Sequence, residues 1–382
     1  MNLADMALRT LTSAPSLKGK RVILRTSLNE PVDDQGAVSD LFRLRRGLPT
    51  LEYLVREGAK VIVVGYFGRS GESLLPVAEA LEKIASPIPI RFTSTPPAKA
   101  GVEVAALRSG QCLVLENTRR DPREEKNDEG FSRELAELGD FFVDDAFAEA
   151  HRAYASNVGI TKFLPSFAGL LLAKEVAELS HALHPPSPSL CIIGGAKFET
   201  KGPLIEKFLK NYDQVFVGGA IANDLFKAQG LEVGKSLVSA EPYDFGNILS
   251  HPKLLLPKDV VVEGAGPIAV KAPAAVTGSE GIYDVGPQTI TDLSSILSKM
   301  KFVLWNGPLG NYEHGFIAQT QSLASAIARS GAYSVVGGGD TIAAIATLHL
   351  EDRFSFLSTG GGAMLEFLDR GTLPGIEVLI DS

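Results

Sequence analysis

The chain has 382 residues, of which 45% are hydrophobic, and its formal net charge is −8 at pH 7. A chain of this length predicts two globular domains, because single hydrophobic cores stop growing beyond about 250–300 residues. The acidic balance argues against a nucleic-acid or membrane-surface partner, since both attract basic proteins.

The cysteines and the apolar runs indicate a soluble protein of a reducing compartment. Only Cys112 and Cys191 are present, and both lie in apolar runs, as core thiols do. The sequence starts without the apolar block of a signal peptide, and no run approaches the roughly 18 apolar residues of a membrane span. We therefore expect a cytoplasmic protein.

The first half alternates β-rich runs with helical patterns. Strands are predicted at residues 21–25, 60–64, 112–115 and 141–143, and helices from Asp40 to about Glu57 and from about Leu74 to Ile84. The loops that follow the four strands carry, in turn, Arg25 with Asn29, Arg69, Arg119, and Arg152. In a parallel sheet these loops lie at one edge, so we expect the arginines to converge there.

Arginine and lysine are distributed unevenly along the chain. Of the 18 arginines, 15 lie in residues 1–168, whereas the 19 lysines divide into 7 before and 12 after that point. Arginine binds carboxylates and phosphates through a planar fork, and lysine supplies a point charge for polyphosphate. The first half is thus expected to bind a small anionic substrate and the second a nucleotide. The alternative is that individual arginines, such as Arg45 and Arg120, simply lie on solvated helix faces.

A domain boundary is predicted near the middle of the chain. A helical stretch from Leu170 to Leu183 leads into Pro185-Pro186-Ser187-Pro188, which is typical of a boundary. We expect an N-terminal domain at 1–168, an interdomain helix at 169–184 and a C-terminal domain at 185–368. The last segment, 369–382, is expected to return to the N-terminal domain.

Residues 190–210, LCIIGGAKFETKGPLIEKFLK, predict a buried strand, a turn and a helix start. Gly194 and Gly195 permit close approach of backbone N–H groups to a ligand, and a helix N-terminus favours an anion. Lys197 and Lys201 are four residues apart and would share one helix face. The pattern favours a phosphate cradle with two cations, although it is no Walker A loop. The alternative is an ordinary turn with surface lysines.

Four more strands of the second half run into glycine-bearing turns. They are predicted at 215–217, 302–304, 334–336 and 354–357, and the turns contain Gly219, Pro308, Gly339 and the pair Gly361-Gly362. Five such turns on one sheet indicate a nucleotide crevice. Asp340 is the candidate carboxylate for Mg²⁺ on phosphates, with a helix N-cap as its alternative role. The predicted fold class is α/β, with two doubly wound parallel-sheet (Rossmann-like) domains joined by a hinge helix.

Nine segments of the sequence resemble the phosphoglycerate kinase family, in the family's order and from about Lys20 to Leu379. They are NEPV, DLFRLRRGLPT, GYFGRS, LENTR, DDAFAEAHRAYAS, GGAKFETK, LWNGPLGNYE, VVGGGDTIAA and FLSTGGGAMLEFL. The resemblance implies a monomeric glycolytic kinase that transfers phosphate directly, in line, between Mg-ATP and 3-phosphoglycerate. It also implies closure of the two domains about a hinge, so that scattering in solution should show compaction only with both ligands present.

The resemblance also implies the roles of individual residues. The substrate site would contain Ser27, Asn29, Arg43, Tyr66, Arg69, Arg119 and Arg152. The nucleotide site would contain Gly194, Gly195, Lys197, Lys201, Gly219, Asn306, Pro308, Glu313, Gly339, Asp340 and Thr341. Glu313 would bind the ribose hydroxyls and Asp340 the metal. Catalysis would involve Arg43 and Lys201, with Gly361 and Gly362 at a helix start near the transferred phosphoryl group.

The sequence departs from the family pattern at three of these places. Ser27 stands where the family has an aspartate, Tyr66 where it has a histidine, and Thr200 where it has a second aspartate. Serine can still hydrogen-bond a substrate hydroxyl and tyrosine a phosphate oxygen, but with a different charge or reach. The favoured interpretation is a kinase with an altered pocket. The alternatives are a relative that phosphorylates another small carboxylic acid and a non-catalytic nucleotide-binding regulator.

The expected chemistry needs no nucleophile from the protein. Phosphoryl transfer requires alignment and neutralisation of charge, which Arg43 and Lys201 would supply. None of the six histidines lies in a Ser/His/Asp or Cys/His spacing, which agrees with this. A dehydrogenase would need a G-x-G-x-x-G after its first strand, and that pattern is not evident.

Overall fold

The computed structural model describes residues 8–69, 71–196, 198–240 and 243–381, without the side chains of 198–200. The chain divides into two compact units. The first unit extends to Ala177 and includes the chain again from Arg370, and the second comprises Glu178–Asp369.

The first unit is built on a parallel sheet of six strands. These are β1 (Arg21–Arg25), β2 (Lys60–Val64), β3 (Ile90–Phe92), β4 (Cys112–Val114), β5 (Phe141–Asp144) and β6 (Ser166–Ala168), in the order β3-β4-β2-β1-β5-β6. Its helices are α1 (Phe42–Arg56), α2 (Leu75–Ile84), α3 (Gly101–Ala105) and α4 (Glu129–Ala136), and α5 (Leu170–Leu183) follows β6. Arg25 pairs with both Val64 and Asp144, so β1, β2 and β5 end at one edge.

Both faces of this sheet are covered, which explains its uninterrupted apolar runs. Successive side chains of a strand point to opposite faces. Accordingly Val22 and Leu24 belong to one hydrophobic core, whereas Ile23 belongs to the other. The first core includes Leu44 of α1, and the second includes Phe131 of α4.

The second unit contains another parallel sheet of six strands. These are β7 (Ser189–Ile193), β8 (Gln214–Val217), β9 (Leu254–Leu255), β13 (Phe302–Asn306), β14 (Tyr333–Gly337) and β15 (Phe356–Leu357), in the order β15-β14-β13-β7-β8-β9. A separate antiparallel sheet consists of β10 (Val260–Glu263), β11 (Ala269–Lys271) and β12 (Gly281–Val285). The helices are α6 (Phe198–Asn211), α7 (Gly219–Ala228), α8 (Gly246–Leu249), α9 (Pro287–Leu297), α10 (Ala318–Ser330), α11 (Gly339–Ala346) and α12 (Gly361–Arg370).

The five strands that were expected to end in glycine-bearing turns all lie in this second parallel sheet. Asn306 pairs with Ile193 on one side and with Gly337 on the other, and Ile193 pairs with Val217. The turns after β7, β8, β13 and β14 therefore share one edge of the sheet. This edge is where open α/β sheets bind ligands.

The predicted fold class, two parallel α/β sheets, is confirmed. The sequence did not indicate β3, β6, β9 or the antiparallel sheet. The predicted strand from Phe354 begins only at Phe356, after a 3₁₀ turn at Glu351–Arg353. Near the end of the chain, α13 (Pro374–Glu377) precedes Leu379, whose carbonyl accepts the N–H of Arg9 at 2.9 Å. Within the described residues, no helix combines the length and the apolar character that crossing a bilayer would require.

Candidate active site

Arg25 is the last residue of β1, in agreement with the strand predicted at residues 21–25, and it is fully buried. Its Nη1 lies 3.3 Å from Oε2 of Glu149, and its Nε donates to Oγ of Ser156 at 3.1 Å. Arg25 thus lies at the expected edge of the sheet but inside the fold, where Glu149 and Ser156 contact its guanidinium and Nη2 has no hydrogen-bond partner among the described residues.

Arg43 and Asn29 lie close together at the edge where β1 and β2 end. Arg43, in the first turn of α1, donates from Nη1 to the carbonyl of Asn29 at 3.0 Å and lies 3.4 Å from Oε2 of Glu30. Asn29 in turn accepts the N–H of Gly68 at 2.9 Å through its side-chain oxygen. Burial raises the pKa of Glu30 to about 7, although the N–H of Leu44 and the charge of Arg43 oppose the shift. These contacts link the loop after β1 to the loop after β2.

Arg119 is fixed between two tyrosines. Its guanidinium carbon lies 3.5 Å from the centre of the Tyr66 ring, and Nη2 donates to the hydroxyl of Tyr154 at 3.1 Å. Nη1 donates to the carbonyl of Gly68 at 3.1 Å. Burial, supported by the charge of Glu149, raises the pKa of Tyr66 to about 12, so Tyr66 is neutral at physiological pH. The tyrosine at position 66 therefore contacts Arg119 through its ring face.

The other residues expected in the substrate site differ in exposure. Arg69 and Arg152 are exposed on the loops that follow β2 and β5. Ser27 is buried, and its hydroxyl donates to Oε2 of Glu149 at 3.2 Å. The hydrogen of this hydroxyl is directed to a carboxylate of the protein, and the contact of Ser27 with a substrate stays a prediction.

In the second unit, the turn after β7 packs against the turn after β13. The N–H of Gly194 donates to the carbonyl of Asn306 at 2.8 Å, and that of Gly195 to the carbonyl of Pro308 at 2.7 Å. A Cβ atom on Gly194 would lie 2.2 Å from the carbonyl oxygen of Pro308. The sequence correctly located a close approach at these glycines. Their own N–H groups donate to carbonyls of the neighbouring turn, and the contact of this turn with a nucleotide stays a prediction.

Lys201 lies in α6, close to this pair of turns. Its Nζ donates to the carbonyl of Gly194 at 2.6 Å. A Cβ atom on Gly195 would lie 3.1 Å from the same Nζ atom. The side chain is buried, which lowers the pKa of its ammonium group to about 8. The alternative of an ordinary surface lysine is therefore wrong for Lys201. Lys197 and the side chain of Thr200 lie outside the described residues.

A cavity of about 400 Å³ lies at the same edge of the second sheet. Of the predicted nucleotide-site residues it is lined by Gly195, Gly219, Pro308, Glu313 and Asp340. Its apolar lining comes from residues that the sequence did not single out: Ala222, Phe226, Leu237, Val260, Ile282 and Val285. Asp284 also lines it, and burial raises the pKa of that carboxyl group to about 7. The cavity thus has an apolar part beside polar and charged residues such as Asn223, Lys235 and Asp284, and concave sites of mixed lining are typical of small-molecule binding.

The turns after β14 and β15 meet next to this cavity. A Cβ atom on Gly361, the first residue of α12, would lie 3.5 Å from the Cα of Gly338. Thr341 is buried, and its hydroxyl has no hydrogen-bond partner within the described ranges. Asn306, also buried, donates to the sulfur of Met364 at 3.8 Å. Gly339 and Gly362, by contrast, have open space where a side chain would begin.

Asp340 fits the expected metal role better than its alternative. The N-cap of α11 is Gly338, so Asp340 is not the cap but an exposed residue of the first turn that lines the cavity. Among the described residues, no group of three or more His, Cys, Asp or Glu side chains could hold a metal. Mg²⁺ is commonly bound by one or two carboxylates together with substrate phosphates, and a single carboxylate on the cavity suits that arrangement.

Comparison with known families agrees with this architecture. The phosphoglycerate kinase family model matches residues 12–370. The chain belongs to the phosphoglycerate kinase family. A phosphoglycerate kinase of Herpetosiphon aurantiacus is 42% identical over 384 residues, covering 95% of this chain and 97% of that protein. One from Nostoc punctiforme is 40% identical over the full length of both.

Solved structures of the phosphoglycerate kinase family have the same fold. The enzyme of Coxiella burnetii matches with a TM-score of 0.82 at 37% identity, covering 98% of this chain and 99% of its own. The Pyrococcus horikoshii enzyme matches with a TM-score of 0.85 at 29% identity, covering 97% and 98%. The chain therefore matches these relatives along nearly their whole length.

Proposed function

We propose that this chain catalyses reversible phosphoryl transfer between ATP and 3-phosphoglycerate, which gives ADP and 1,3-bisphosphoglycerate, as a step of glycolysis. The observation that carries the proposal is the family match over residues 12–370. Relatives named phosphoglycerate kinase, about 40% identical along nearly their whole length, support it.

The reaction requires that the acid and the γ-phosphate are aligned and that the negative charge of the transferred group is neutralised. A carboxylate oxygen of the acid bonds to the γ-phosphorus of ATP while the bond from that phosphorus to the β–γ bridging oxygen breaks. The bridging oxygen leaves on ADP, and no proton moves. Negative charge spreads over the transferred group, so positioned cations stabilise the transition state. Arg43 and Lys201 are the residues to which we assign this role.

We place the acid in the first unit. A backbone carbonyl accepts a hydrogen bond from each of Arg43 and Arg119, and Arg119 also stacks on the Tyr66 ring. Both guanidinium groups are therefore oriented before a ligand binds. Preorganised guanidinium groups bind carboxylates and phosphates through paired hydrogen bonds. Arg69 and Arg152 are exposed and would complete the contacts with the phosphate.

We place the nucleotide in the cavity of the second unit. The apolar lining, with Phe226 and Val260, suits a base, and Glu313 on the exposed side would bind the ribose hydroxyls. Asp340 would hold Mg²⁺, which when bound neutralises and orients the phosphates. Lys201 would contact the terminal phosphate, and Gly361 and Gly362, at the start of α12, would border it.

We further propose that the protein acts as a cytoplasmic monomer. Each of the two units contains one of the proposed sites, so a single chain carries both. The free cysteines, Cys112 and Cys191, are buried and suit a reducing compartment. Sedimentation at assay concentrations would test the oligomeric state.

A coupled assay of ADP formation with Mg-ATP and 3-phosphoglycerate tests the proposed function. We expect turnover, and we expect Arg43→Ala to lower kcat by roughly 10²–10³-fold, the cost of one preorganised donor to transition-state charge. ADP formed only with another small carboxylic acid would identify a diverged relative. ATP binding without ADP from any acid tested would identify a nucleotide-binding regulator.

A further inference from the structure

Glu149 contacts Ser27, a residue of the proposed acid site, although no sequence pattern singled it out. It ends the 3₁₀ turn Phe147–Glu149 after β5, and the residue is only 4% exposed. Its Oε2 accepts the hydroxyl of Ser27 at 3.2 Å and lies 3.3 Å from Nη1 of Arg25. No hydrogen bond to its other oxygen, Oε1, occurs in the part of the chain that the structure describes.

The ion pair with Arg25 accounts for only one oxygen of this glutamate. Burial disfavours the charge of Arg25, yet Asp144, Glu149 and Glu124 together raise its pKa. Of these three carboxylates, Glu149 is the one that contacts the guanidinium directly, through Oε2 at 3.3 Å. Removing charge from water is expensive unless it is paired, so a polar partner for Oε1 would lower the cost of burying Glu149.

Besides this ion pair, the surroundings of Glu149 connect it with the proposed acid site. Burial raises the pKa of Glu149, and Arg25 and Arg43 both oppose that shift, so the charge of Arg43 reaches it. The charge of Glu149 also helps to raise the pKa of Tyr66. Its hydrogen-bond partner, Ser27, occupies the position at which the family pattern has an aspartate. The protein therefore has a carboxylate beside position 27, delivered from a different segment.

We propose that Glu149 supplies the carboxylate that position 27 lacks, and that its Oε1 accepts a hydrogen bond from the alcohol of a hydroxy-acid substrate. This inference rests on the proposed function. An ionised carboxylate is an acceptor only, so it attracts an alcohol and repels the carboxylate and the phosphate of the same substrate. Glu149 would thereby orient the acid, with its carboxylate directed away towards Arg43, and would select for the hydroxyl group.

The first test compares 3-phosphoglycerate with its 2-deoxy analogue, 3-phosphooxypropanoate. Hydrogen bonds to charged groups are worth more than neutral ones, so the wild type should prefer the hydroxylated acid by roughly 10- to 100-fold in kcat/KM. Glu149→Gln, in which the acceptor is neutral, should reduce that preference by roughly five- to tenfold relative to the wild type. The KM for ATP should stay unchanged. Equal use of both acids by the wild type would overturn the inference without any variant.

The second test moves the carboxylate back to position 27. Ser27→Asp alone would place two carboxylates side by side in a buried site, where both cannot ionise freely, so activity should fall. Ser27→Asp combined with Glu149→Gln should regain the preference for the hydroxylated acid. Glu124→Gln is the matched control, because Glu124 also faces Arg25 but accepts hydrogen bonds from Ser156 rather than Ser27.

The outcomes separate the two proposals. A wild type that makes no ADP from 3-phosphoglycerate rejects the proposed function, whereas an active wild type whose hydroxyl preference survives Glu149→Gln rejects only the role of Glu149. The same loss of preference in Glu124→Gln would also reject it, since that result follows from disturbing Arg25. Thermal unfolding of each variant shows whether a loss of activity reflects a loss of folding. If Glu149→Gln does not fold, Glu149→Asp is the conservative variant to compare.

Discussion

At the scale of single residues, burial gives Lys201 a property that its sequence position does not suggest. A lysine with a pKa near 8 is still mostly charged at neutral pH, but it loses its proton just above. An ammonium group that must contact phosphate works only in the charged form. Lys201 therefore links the proposed chemistry to pH.

We expect kcat/KM for ATP to be flat below neutrality and to fall as pH rises through about 8, the pKa of the free enzyme. Lys201→Arg should move this break well above pH 10 or so, because the guanidinium pKa exceeds about 12. Lys207→Arg is the control, since Lys207 is on the same helix and its Nζ likewise donates to a carbonyl, that of Leu368 at 2.8 Å. A break near 8 that persists in Lys201→Arg would assign it to another group.

The contact of Tyr66 with Arg119 predicts a role for the ring rather than for the hydroxyl. Tyr66→Phe should retain the 3.5 Å stacking, whereas Tyr66→Leu removes it. Since a cation–π contact contributes about 0.5–2 kcal/mol, Tyr66→Leu should raise the KM for the acid by roughly 3- to 30-fold, with the KM for ATP unchanged. If Tyr66→Phe and Tyr66→Leu raise the KM for the acid by the same factor, the hydroxyl and not the ring is the functional group.

The sequence identified some of these residues and not others, for a physical reason. Arg43, Arg119 and Tyr66 follow strand ends or helix starts, and that pattern is local. Glu149 lies between two alanines and would be expected on the surface. Its burial depends on Arg25, which is 124 residues away in the chain, and only the fold brings the two together.

At the scale of elements, glycine has two different functions in the second unit. At Gly194 it allows one turn to pack against another, since a Cβ atom there would lie 2.2 Å from a backbone oxygen. At Gly362, in the first turn of α12, a Cβ atom would meet open space. The first glycine is needed for packing. The second is needed only if something outside the fold, such as a phosphoryl group, must come close.

Substitution by alanine should therefore change the stability at Gly194 and the turnover at Gly362. Gly194→Ala should lower the free energy of unfolding by at least about 2 kcal/mol, as overpacking against backbone does. Gly362→Ala should leave stability unchanged or raise it by up to about 1 kcal/mol, because alanine favours helix, yet it should lower kcat by roughly tenfold or more through misplacement of the reacting group. Urea unfolding followed by fluorescence of Trp305, which is buried in β13, reports the stability of this unit. If Gly362→Ala keeps the full kcat, the transferred phosphoryl group does not come close to the start of α12.

Continuous apolar runs revealed the long buried strands, because strands covered on both faces have no polar positions. The same signal fails for short or half-exposed strands. The three-residue strand β6 offers too short a pattern, and β10 and β11 alternate with exposed residues. The antiparallel sheet was missed for this reason, and with it Val260 and Ile282, which line the cavity of the second unit.

At the scale of the whole molecule, the uneven use of cations corresponds to the two units. Fifteen of the 18 arginines precede residue 169, in the unit where Arg43 and Arg119 are held ready for an anion. The cavity belongs wholly to the second unit, which also contains the buried Lys201. The sequence could predict this division from composition alone. It could not predict that the N–H groups of Gly194 and Gly195 donate to carbonyls of the neighbouring turn.

Each ligand, added alone, should therefore protect its own unit from hydrogen exchange, because a ligand that binds only the folded form suppresses local opening around its site. Mg-ADP should slow exchange of amides in α7 and in residues 309–314, which line the cavity. 3-Phosphoglycerate should slow exchange in the loops after β1, β2 and β4. Asp340→Asn should weaken the first effect and leave the second intact, which makes it the internal control. Protection by Mg-ADP confined to residues before 170 would contradict the assignment of the nucleotide to the second unit, and with it the roles proposed for Lys201 and Asp340.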